Sequence, residues 1–364
     1  MAVEHNHVVI HHLRKESKQP IQPSVIKEET LDSNAESVRK LVEGVISLYG
    51  TKGNNAIFGT FANSMEERGF FPGAFEKFRQ GTQSANDFIS LTKTAMNSLQ
   101  AKARDVNFAS GGYILFASYH TDNKPFLLMA MIKQREGIQL NENLEPVGIQ
   151  ELDLNKLHQA ARINIERYLE HEAAEGKDKE QFSYLSFVSP RTNQSASGYF
   201  IKALGCSGGV AASRATDSAC KEVAKFFRKK PELKAKVSVL KTDVISYLRE
   251  CYEEQRASTI NDLTAIARKH LPADYDDEKR DELEKELAEY LNSEDVQVPN
   301  EFRVHLATIN KHARVKIKAP NWQIQFEKHA LGNNENAEIW YDKPNSRLVI
   351  NNLTAEMKSA ITDE

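Results

Sequence analysis

The sequence has few cysteines and lacks long apolar runs. Its 364 residues include only Cys206, Cys220 and Cys251, and no pair has the CxxC spacing. An odd number without that spacing argues against a disulfide framework and a zinc ribbon, and it fits a reducing compartment. The first residues lack the apolar segment of a secretion signal, and no run approaches the roughly 18 apolar residues of a membrane-spanning helix. We therefore expect a cytoplasmic protein without a membrane partner.

An excess of positive charge is also missing. The chain has 48 lysines and arginines against 51 acidic residues, which gives a formal net charge of -3. Any anion binding must therefore come from local patches rather than from the whole chain. Walker A, GxGxxG and HExxH motifs are absent, so nucleotide binding and the common zinc-protease pattern have no support, and we expect no cofactor.

Hydrophobic periodicity predicts an α+β fold. The spacing of apolar residues predicts a strand over 8–13 and helices over 34–49 and 84–101. In 111–133 two apolar runs flank HTDNKP, a sequence with turn chemistry, which predicts a central β-hairpin covered on both faces. Further strands are predicted at 138–144, 147–154, 161–169 and 184–188, the last of these closing the N-terminal unit.

The pattern changes in the second half of the chain. The charged stretch 170–181 is interpreted as a solvated loop near a domain boundary. We expect an N-terminal α+β domain at 1–190 and a C-terminal domain at 191–364. In the latter, helices at about 197–291 precede a small β-sheet at about 301–352.

Four histidines stand near the start of the chain. Strand alternation predicts that His5, His7 and His11 point to one face and His12 to the other. A stable metal site needs three or four ligands, and no second cluster of ligands supplies the rest. An HNH nuclease needs separated histidines in a metal-binding fold, not the tripeptide. An ordinary histidine-rich strand is therefore favoured.

A G-x-S-x-G sequence is formed by Gly205, Ser207 and Gly209. A hydrolase elbow requires a buried strand before the serine and a packed helix directly after it. The preceding SGYFIKAL is predicted to be helical, and AASRATD is too polar for the helix. A glycine-rich turn between helices is therefore favoured. Cys206 is not favoured as a nucleophile either, because no general base can be assigned to it. We expect no enzymatic activity.

Two segments concentrate positive charge. Four cations share the face of the 217–230 helix opposite its phenylalanines, and 302–326 contains no acidic residue. In the RVKIK strand, alternation puts three cations on one face, roughly 7 Å apart, close to the phosphate spacing of one DNA strand. The candidate DNA-binding residues are Lys221, Lys225, Arg228, Lys229, Lys230, Lys234, Lys236, Lys311, Arg314, Lys316 and Lys318. The alternative is an ordinary solvated helix and an exposed sheet face.

An acidic run opposes this positive charge. Residues 274–295 hold eleven acidic residues against three basic ones. This run is interpreted as a solvated helix, with contact to a basic partner, or cover for the basic patch, as the alternatives.

Several segments together resemble the NdpA/YejK family of bacterial nucleoid-associated proteins. They are FASGGYILFASY, FLLMAMI, IQLNENL and ELDLNKLHQAARINIERYL, joined by HNHVVIHHL, FSYLSFV through YFIKALGCS, and EIWYDKPNSRLVI. The resemblance covers roughly residues 5–361. It implies a cytoplasmic protein of the nucleoid on the bacterial chromosome that binds DNA with little sequence preference and has no known enzymatic activity. It also implies type II topoisomerases as partners.

The resemblance carries no DNA-contact motif to individual residues, so the candidate residues remain an electrostatic inference. The stretch PRTNQSASG (190–198) has one basic residue, Arg191, and is a weaker candidate for DNA contact. We expect a largely sequence-nonspecific binder of double-stranded DNA. The alternative is an interaction module that modulates gyrase or topoisomerase IV. We also expect a homodimer, because most soluble oligomers are symmetric and because two weak DNA-binding sites bind more tightly when they are linked. The helix at 233–254 forms either the dimer interface or part of the core.

Overall fold

The structure, a computed structural model, describes residues 3–49, 56–154, 157–176, 179, 182–188, 194–208, 211–327, 330–332 and 334–362. The chain forms two compact units, the first from 1–211 and 288–300, the second from 212–287 and 301–364. The domain boundary placed at residue 190 from the sequence remains a prediction. Helices and strands occur in both units, so the predicted α+β class is confirmed.

The first unit is built on one large sheet. Its elements are β1 (Val3–Leu13), α1 (Glu36–Leu48), β2 (Ile57–Phe61), α2 (Met65–Arg68), α3 (Phe71–Gln80), α4 (Ala85–Arg104), β3 (Gly112–Thr121), β4 (Lys124–Ile132), β5 (Gln134–Leu140), β6 (Pro146–Leu152), β7 (Gln159–Asn164), α5 (Ile165–Ala173), β8 (Leu185–Val188), α6 (Gln194–Ala203) and β9 (Cys206–Gly208). Seven strands pair in the order β1-β3-β4-β7-β8-β2-β9, and each neighbouring pair is antiparallel.

The predicted central hairpin is β3–β4. Its side chains alternate between two buried clusters: Phe116 lies in a cluster with residues of α3, α4 and α6, and Leu115 lies in a cluster with residues of α1. Asp122 and Asn123 join the strands with φ of 49° and 63°. Positive φ at both central residues is typical of the two-residue type I′ turn, which favours Asp and Asn. The hairpin is therefore covered on both faces, as predicted.

Three sequence predictions for this unit need correction. Strand β8 is not the last strand, because the short β9 follows α6 and pairs with β2. The alternating segment 161–169 is a strand only up to Asn164, whose side chain then accepts from the Arg167 N–H and caps α5. Helix α5 continues to Ala173, so the start of 170–181 is helix rather than loop.

Strands β5 and β6 form a separate two-stranded sheet.

The second unit begins with helices, continues with short strands and ends with a helix. Its elements are α7 (Ala212–Lys229), a 3-10 helix (Pro231–Lys236), α8 (Val237–Glu253), β10 (Ser258–Thr259), α9 (Ile260–Arg268), α10 (Asp277–Leu291), β11 (Glu301–Phe302), α11 (Leu306–Ala313), β12 (Arg314–Lys318), β13 (Gln323–Glu327), β14 (Leu331–Gly332), β15 (Ile339–Asp342), β16 (Arg347–Ile350) and α12 (Ala355–Thr362). The last four residues of α10, 288–291, belong to the first unit. The C-terminal strand region is thus interrupted by α11, which the sequence analysis missed, and it forms separate small sheets.

Helices α7 and α8 supply apolar residues to the core of the second unit. Phe227 of α7 and Leu240, Val244 and Leu248 of α8 are buried. The row of apolar side chains along α8 is therefore part of the core. This was the alternative to a dimer interface for the helix predicted at 233–254. Over the described residues, no helix has both the length and the apolar character needed to cross a membrane.

Candidate nucleic-acid interface

Two of the candidate lysines on α7 have acidic partners on the same helix. Lys221 donates to Asp217 at 2.5 Å, and the ammonium of Lys225 lies 3.1 Å from the carboxylate of Glu222. The partners are four and three residues apart, the spacings at which helical side chains are neighbours. The positive face predicted opposite the phenylalanines is thus exposed, but at these positions its charge is partly neutralised locally.

The next lysines differ in exposure. Lys230 is half-buried: its ammonium donates to both carboxylate oxygens of Glu286, at 2.9 and 3.0 Å, and lies 5.0 Å from the centre of the Phe226 ring. Lys234 and Lys236 follow on the 3-10 helix and are exposed. Lys230 is therefore held by its own unit, whereas the two lysines after it face solvent.

A groove of about 1240 Å³ in the second unit is lined by cations of the first basic segment and reaches the second segment at Ala313. Arg228 and Lys234 line it, as does Ala313, which directly precedes Arg314. Lys241 and Arg249 of α8 also line it, although the sequence analysis did not select them. The two residues are eight positions apart, which places both on the same side of the row of apolar side chains along α8. This spacing is the signal that could have identified them in the sequence. The carboxylates in its wall are those of Asp243, Glu250 and Glu253.

Strand β12 carries an exposed row of positive charge. Arg314, Lys316 and Lys318 alternate along one face and are all exposed. In the register with β13, Arg314 lies opposite Glu327, whereas Lys316 lies opposite Gln325 and Lys318 opposite Gln323, both uncharged. Successive cations lie roughly 7 Å apart, because a strand rises about 3.3 Å per residue. The face thus combines regular spacing with uncharged cross-strand neighbours at its two lysines.

Asp217 fixes this strand region to α7. One of its carboxylate oxygens accepts from Lys221, and the other lies 2.8 Å from His312 Nε2. His312 is in the last turn of α11, immediately before β12, and the candidate Lys311 beside it is exposed. Burial lowers the pKa of His312, although the adjacent carboxylate opposes this shift.

The N-terminal histidines do not lie as predicted. A bulge shifts the β1–β3 register between His5 and His7. His5 Nε2 therefore lies 3.4 Å from Glu43 of α1, whereas His7 Nε2 lies 2.8 Å from the carbonyl oxygen of Gln83, just before α4. A bulge adds one residue to the strand, so the side chains before the bulge point to the opposite face from the one that simple alternation predicts. The prediction that His5, His7 and His11 share a face was wrong.

His11 is a core residue with both ring nitrogens satisfied. Its Nδ1 accepts from the Lys27 N–H at 3.1 Å, which leaves Nε2–H to donate to Thr92 Oγ1 at 3.0 Å. Burial is the main cause that lowers the pKa of His11 to about 4. Within the described part of the chain, His, Cys, Asp and Glu side chains form no group of three or more that could hold a metal ion.

The G-x-S-x-G sequence does not form a nucleophile elbow, but two predictions made for this region were wrong. Cys206–Gly208 form the strand β9 rather than a turn, and α7 begins at Ala212, within the segment AASRATD. Helix α6 precedes the G-x-S-x-G sequence, Gly205 has φ of 63°, and Ser207 is exposed within β9, whereas an elbow places the serine in a turn between a strand and a helix. Burial raises the pKa of the Cys206 thiol well above its usual range, which disfavours the reactive thiolate. Gly209 and Arg191 lie outside the described residues.

Comparison with known proteins gives these surfaces a context. The sequence profile of the family described as Nucleoid-associated protein YejK matches residues 9–358, nearly the whole chain. The chain belongs to the YejK family. It is 24% identical over 358 residues to a nucleoid-associated protein of Pseudomonas aeruginosa, covering 98% of this chain and 96% of that one. It is 25% identical over 359 residues to a nucleoid-associated protein of Metapseudomonas resinovorans, covering 98% of each chain.

A third relative, a nucleoid-associated protein of Azotobacter vinelandii, is 25% identical over 359 residues and covers 98% of this chain and 97% of its own. Membership of the YejK family supports a nucleoid-associated role and confirms the resemblance found in the sequence. The local positive surfaces of the second unit meet the physical requirement of such a role, because a chain of net charge -3 must concentrate its cations to contact the polyanion of the nucleoid.

Proposed function

We propose that this YejK-family protein binds duplex DNA in the bacterial nucleoid, in the cytoplasm, with little sequence preference. The observation that carries the proposal is the exposed row of Arg314, Lys316 and Lys318 on one face of β12. Two further exposed candidates, Arg228 and Lys234, line the groove that Ala313 also lines. These side chains would contact phosphates and release counterions, a source of affinity that does not depend on base sequence.

The test is fluorescence anisotropy of the full chain with unrelated duplexes of about 30 base pairs across a salt series. We expect similar affinities on all duplexes and a steep salt dependence. The triple variant R314A/K316A/K318A should bind more weakly, and its log–log salt slope should flatten by roughly 0.9 for each phosphate that is no longer neutralised. The control is Lys40→Ala, since Lys40 is paired with Glu36 on α1.

Two results would contradict the proposal. Absence of binding at low salt would exclude DNA as a direct ligand. Binding with an unchanged slope in the triple variant would remove the β12 face from the interface.

A second candidate function is docking to a type II topoisomerase, gyrase or topoisomerase IV. The observation that favours it is the acidic surface of α10, where Asp277, Glu278, Asp281 and Glu282 are exposed. Arg268 bonds to Asp281 at 2.5 Å and so neutralises part of this surface. Such a surface would repel DNA and suits a basic region of a protein partner.

A pull-down with topoisomerase subunits in nuclease-treated lysate separates the two candidates. Capture that survives the nuclease supports direct docking, whereas capture that disappears with the DNA indicates that DNA bridges the two proteins. We also propose that the protein forms a homodimer.

A further inference from the structure

Strands β5 and β6 form an antiparallel ribbon, here called the arm (134–152). The two strands pair from Gln134 opposite Leu152 to Leu140 opposite Pro146, and neither pairs with a third strand among the residues that the structure describes. Seven residue pairs make the arm roughly 20 Å long. An isolated two-stranded hairpin is marginally stable in water, and its open edges are templates for further pairing.

The tip of the arm exposes large apolar side chains. Ile138, Leu140 and Leu144 are 79%, 61% and 77% exposed. Ile138 lies opposite Gly148 and Leu140 opposite Pro146, and because these pairs are two positions apart they share one face. Clustered exposed apolar residues of this kind mark interaction sites on soluble proteins.

Leu144 is held in an unfavourable backbone conformation. Its φ is 63°, in the left-handed region that leucine rarely adopts. Asn141 holds the turn: its side-chain oxygen accepts from the N–H groups of Asn143 and Glu145, at 2.9 and 3.0 Å, and its carbonyl oxygen accepts from the Leu144 N–H. The turn therefore presents an apolar anchor in a preorganised position, and such anchors dominate protein interfaces.

The charge of the arm excludes DNA as its partner and favours a basic protein surface. The arm contains four glutamates and one arginine, and that arginine, Arg135, is paired with Glu151. The chain itself carries the complementary surface, the β12–β13 ribbon (314–327). It combines the exposed Lys316 and Lys318 with a Trp322 that is 57% exposed. Among the described residues, β12 and β13 also pair only with each other.

We propose that the arm docks on the β12–β13 ribbon of a second copy of this chain. In a twofold dimer each copy would supply one arm and one ribbon, so both contacts form reciprocally and the assembly closes. Leu144 would contact the exposed Trp322 in the turn of the ribbon. Ile138 and Leu140, which are two positions apart like Lys316 and Lys318, would pack against the aliphatic stems of these two lysines. Glu136 and Glu142 would flank this contact and attract the two ammonium groups. The arm and DNA would then compete for the same lysines, although the docking itself does not depend on DNA binding.

The test is sedimentation equilibrium of the full chain, freed of nucleic acid, over a range of concentrations. The charge reversals E136K/E142K and K316E/K318E should each raise the dimer dissociation constant by about tenfold or more, because like charges then oppose each other. An equimolar mixture of the two variants should recover the dimer, since every arm in the mixed pair faces a ribbon of opposite charge. All four side chains are exposed, so the reversals should leave each unit folded.

Leu144→Asn tests the apolar anchor. Asparagine adopts left-handed backbone conformations more readily than leucine, so the turn should keep its shape while the anchor is removed. We expect a dissociation constant raised by roughly tenfold. The matched control is Met65→Asn in α2, which removes another highly exposed apolar side chain, 90% exposed, away from the arm.

Several results would overturn the proposal. These are a monomer at all concentrations, a dimer that ignores both reversals, a mixture no more associated than its components, or species larger than a dimer. DNA binding is distinguishable from these outcomes, because E136K/E142K and Leu144→Asn retain Lys316 and Lys318. If these variants bind DNA but the wild-type protein is monomeric, the docking fails and the proposed function stands.

Discussion

The β3–β4 hairpin and the β12–β13 ribbon are both antiparallel strand pairs, but they are buried to different extents. In β3 four consecutive residues, 114–117, are fully buried, because apolar side chains occupy both faces. In β12 the alternation RVKIK leaves one face charged, and even Ile317 on the other face is 37% exposed. A continuous apolar run therefore produced a core element, and an alternating run produced a surface element.

This difference separates stability from binding in the molecule. The hairpin contributes to both buried clusters of the first unit, so changes in it should reduce the free energy of unfolding. The ribbon buries little, so changes in it should leave that free energy almost unchanged while they alter DNA binding. Substitutions in the two elements should thus have opposite consequences.

The largest effect is expected for Phe116→Ala in β3. Phe116 is fully buried, and its ring lies 5.5 Å from that of His11. Loss of a buried phenylalanine typically costs about 3–5 kcal/mol, because the cavity is only partly refilled. Urea unfolding would measure this cost.

The matched substitution in the ribbon is Ile317→Ala, which should cost less than about 1 kcal/mol because its side chain is already partly in water. Equal losses in the two variants would contradict the contrast between a core hairpin and a surface ribbon.

A smaller effect, which depends on pH, is expected from His11. Its pKa is lowered from 6.5 to about 4 in the folded state, so between these values the unfolded chain binds a proton that the folded chain does not. The free energy of unfolding should therefore rise by up to roughly 3 kcal/mol between pH 4 and pH 6.5. This contribution of His11 is lost again as the pH falls through the same window.

Unfolding of His11→Gln, measured from pH 4.5 to 7, should show a flatter dependence on pH than the wild type, because glutamine does not titrate. The comparison is His12→Gln: its ring is only partly buried, and burial lowers its pKa by less than that of His11, so this variant should flatten the dependence less than His11→Gln. If both variants retain the full slope, the pH dependence arises elsewhere.

Much of the fold could be predicted because it depends on local patterns. The turn at Asp122 and Asn123 is encoded in two residues that tolerate positive φ. The end of α7 is encoded in Pro231, and the start of α9 in Thr259, whose hydroxyl accepts from the Asp262 N–H at 3.1 Å. In each case, neighbours within a few residues determine the backbone.

What could not be predicted depends on residues far apart in the chain. His312 bonds to Asp217 across 95 positions, and Lys230 to Glu286 across 56, so the neutralised cations cannot be separated from the exposed ones by spacing alone. The bulge at Asn6 reverses a strand face with no marker in the local sequence. The two basic segments were thus predictable, but the groove lined by Arg228 and Lys234 was not.

The smallest effect is expected for K221A/K225A on α7. Both lysines already have acidic neighbours on the same helix, Asp217 and Glu222, so they should release few counterions from DNA. Exposed pairs of this kind contribute only about 0–1 kcal/mol to stability, so the fold should persist. We expect the salt slope of DNA binding to change by less than about 0.9, the value for one neutralised phosphate.

The matched variant is K316A/K318A on β12, which removes the same number of charges from positions opposite glutamines. Its slope should flatten by up to about 1.8 if both lysines contact phosphates. Equal changes in the two variants would mean that DNA competes successfully with Asp217 and Glu222 for the α7 lysines. In that case the interface would extend over the helix, and neutralisation in the free protein would not identify the residues that DNA contacts.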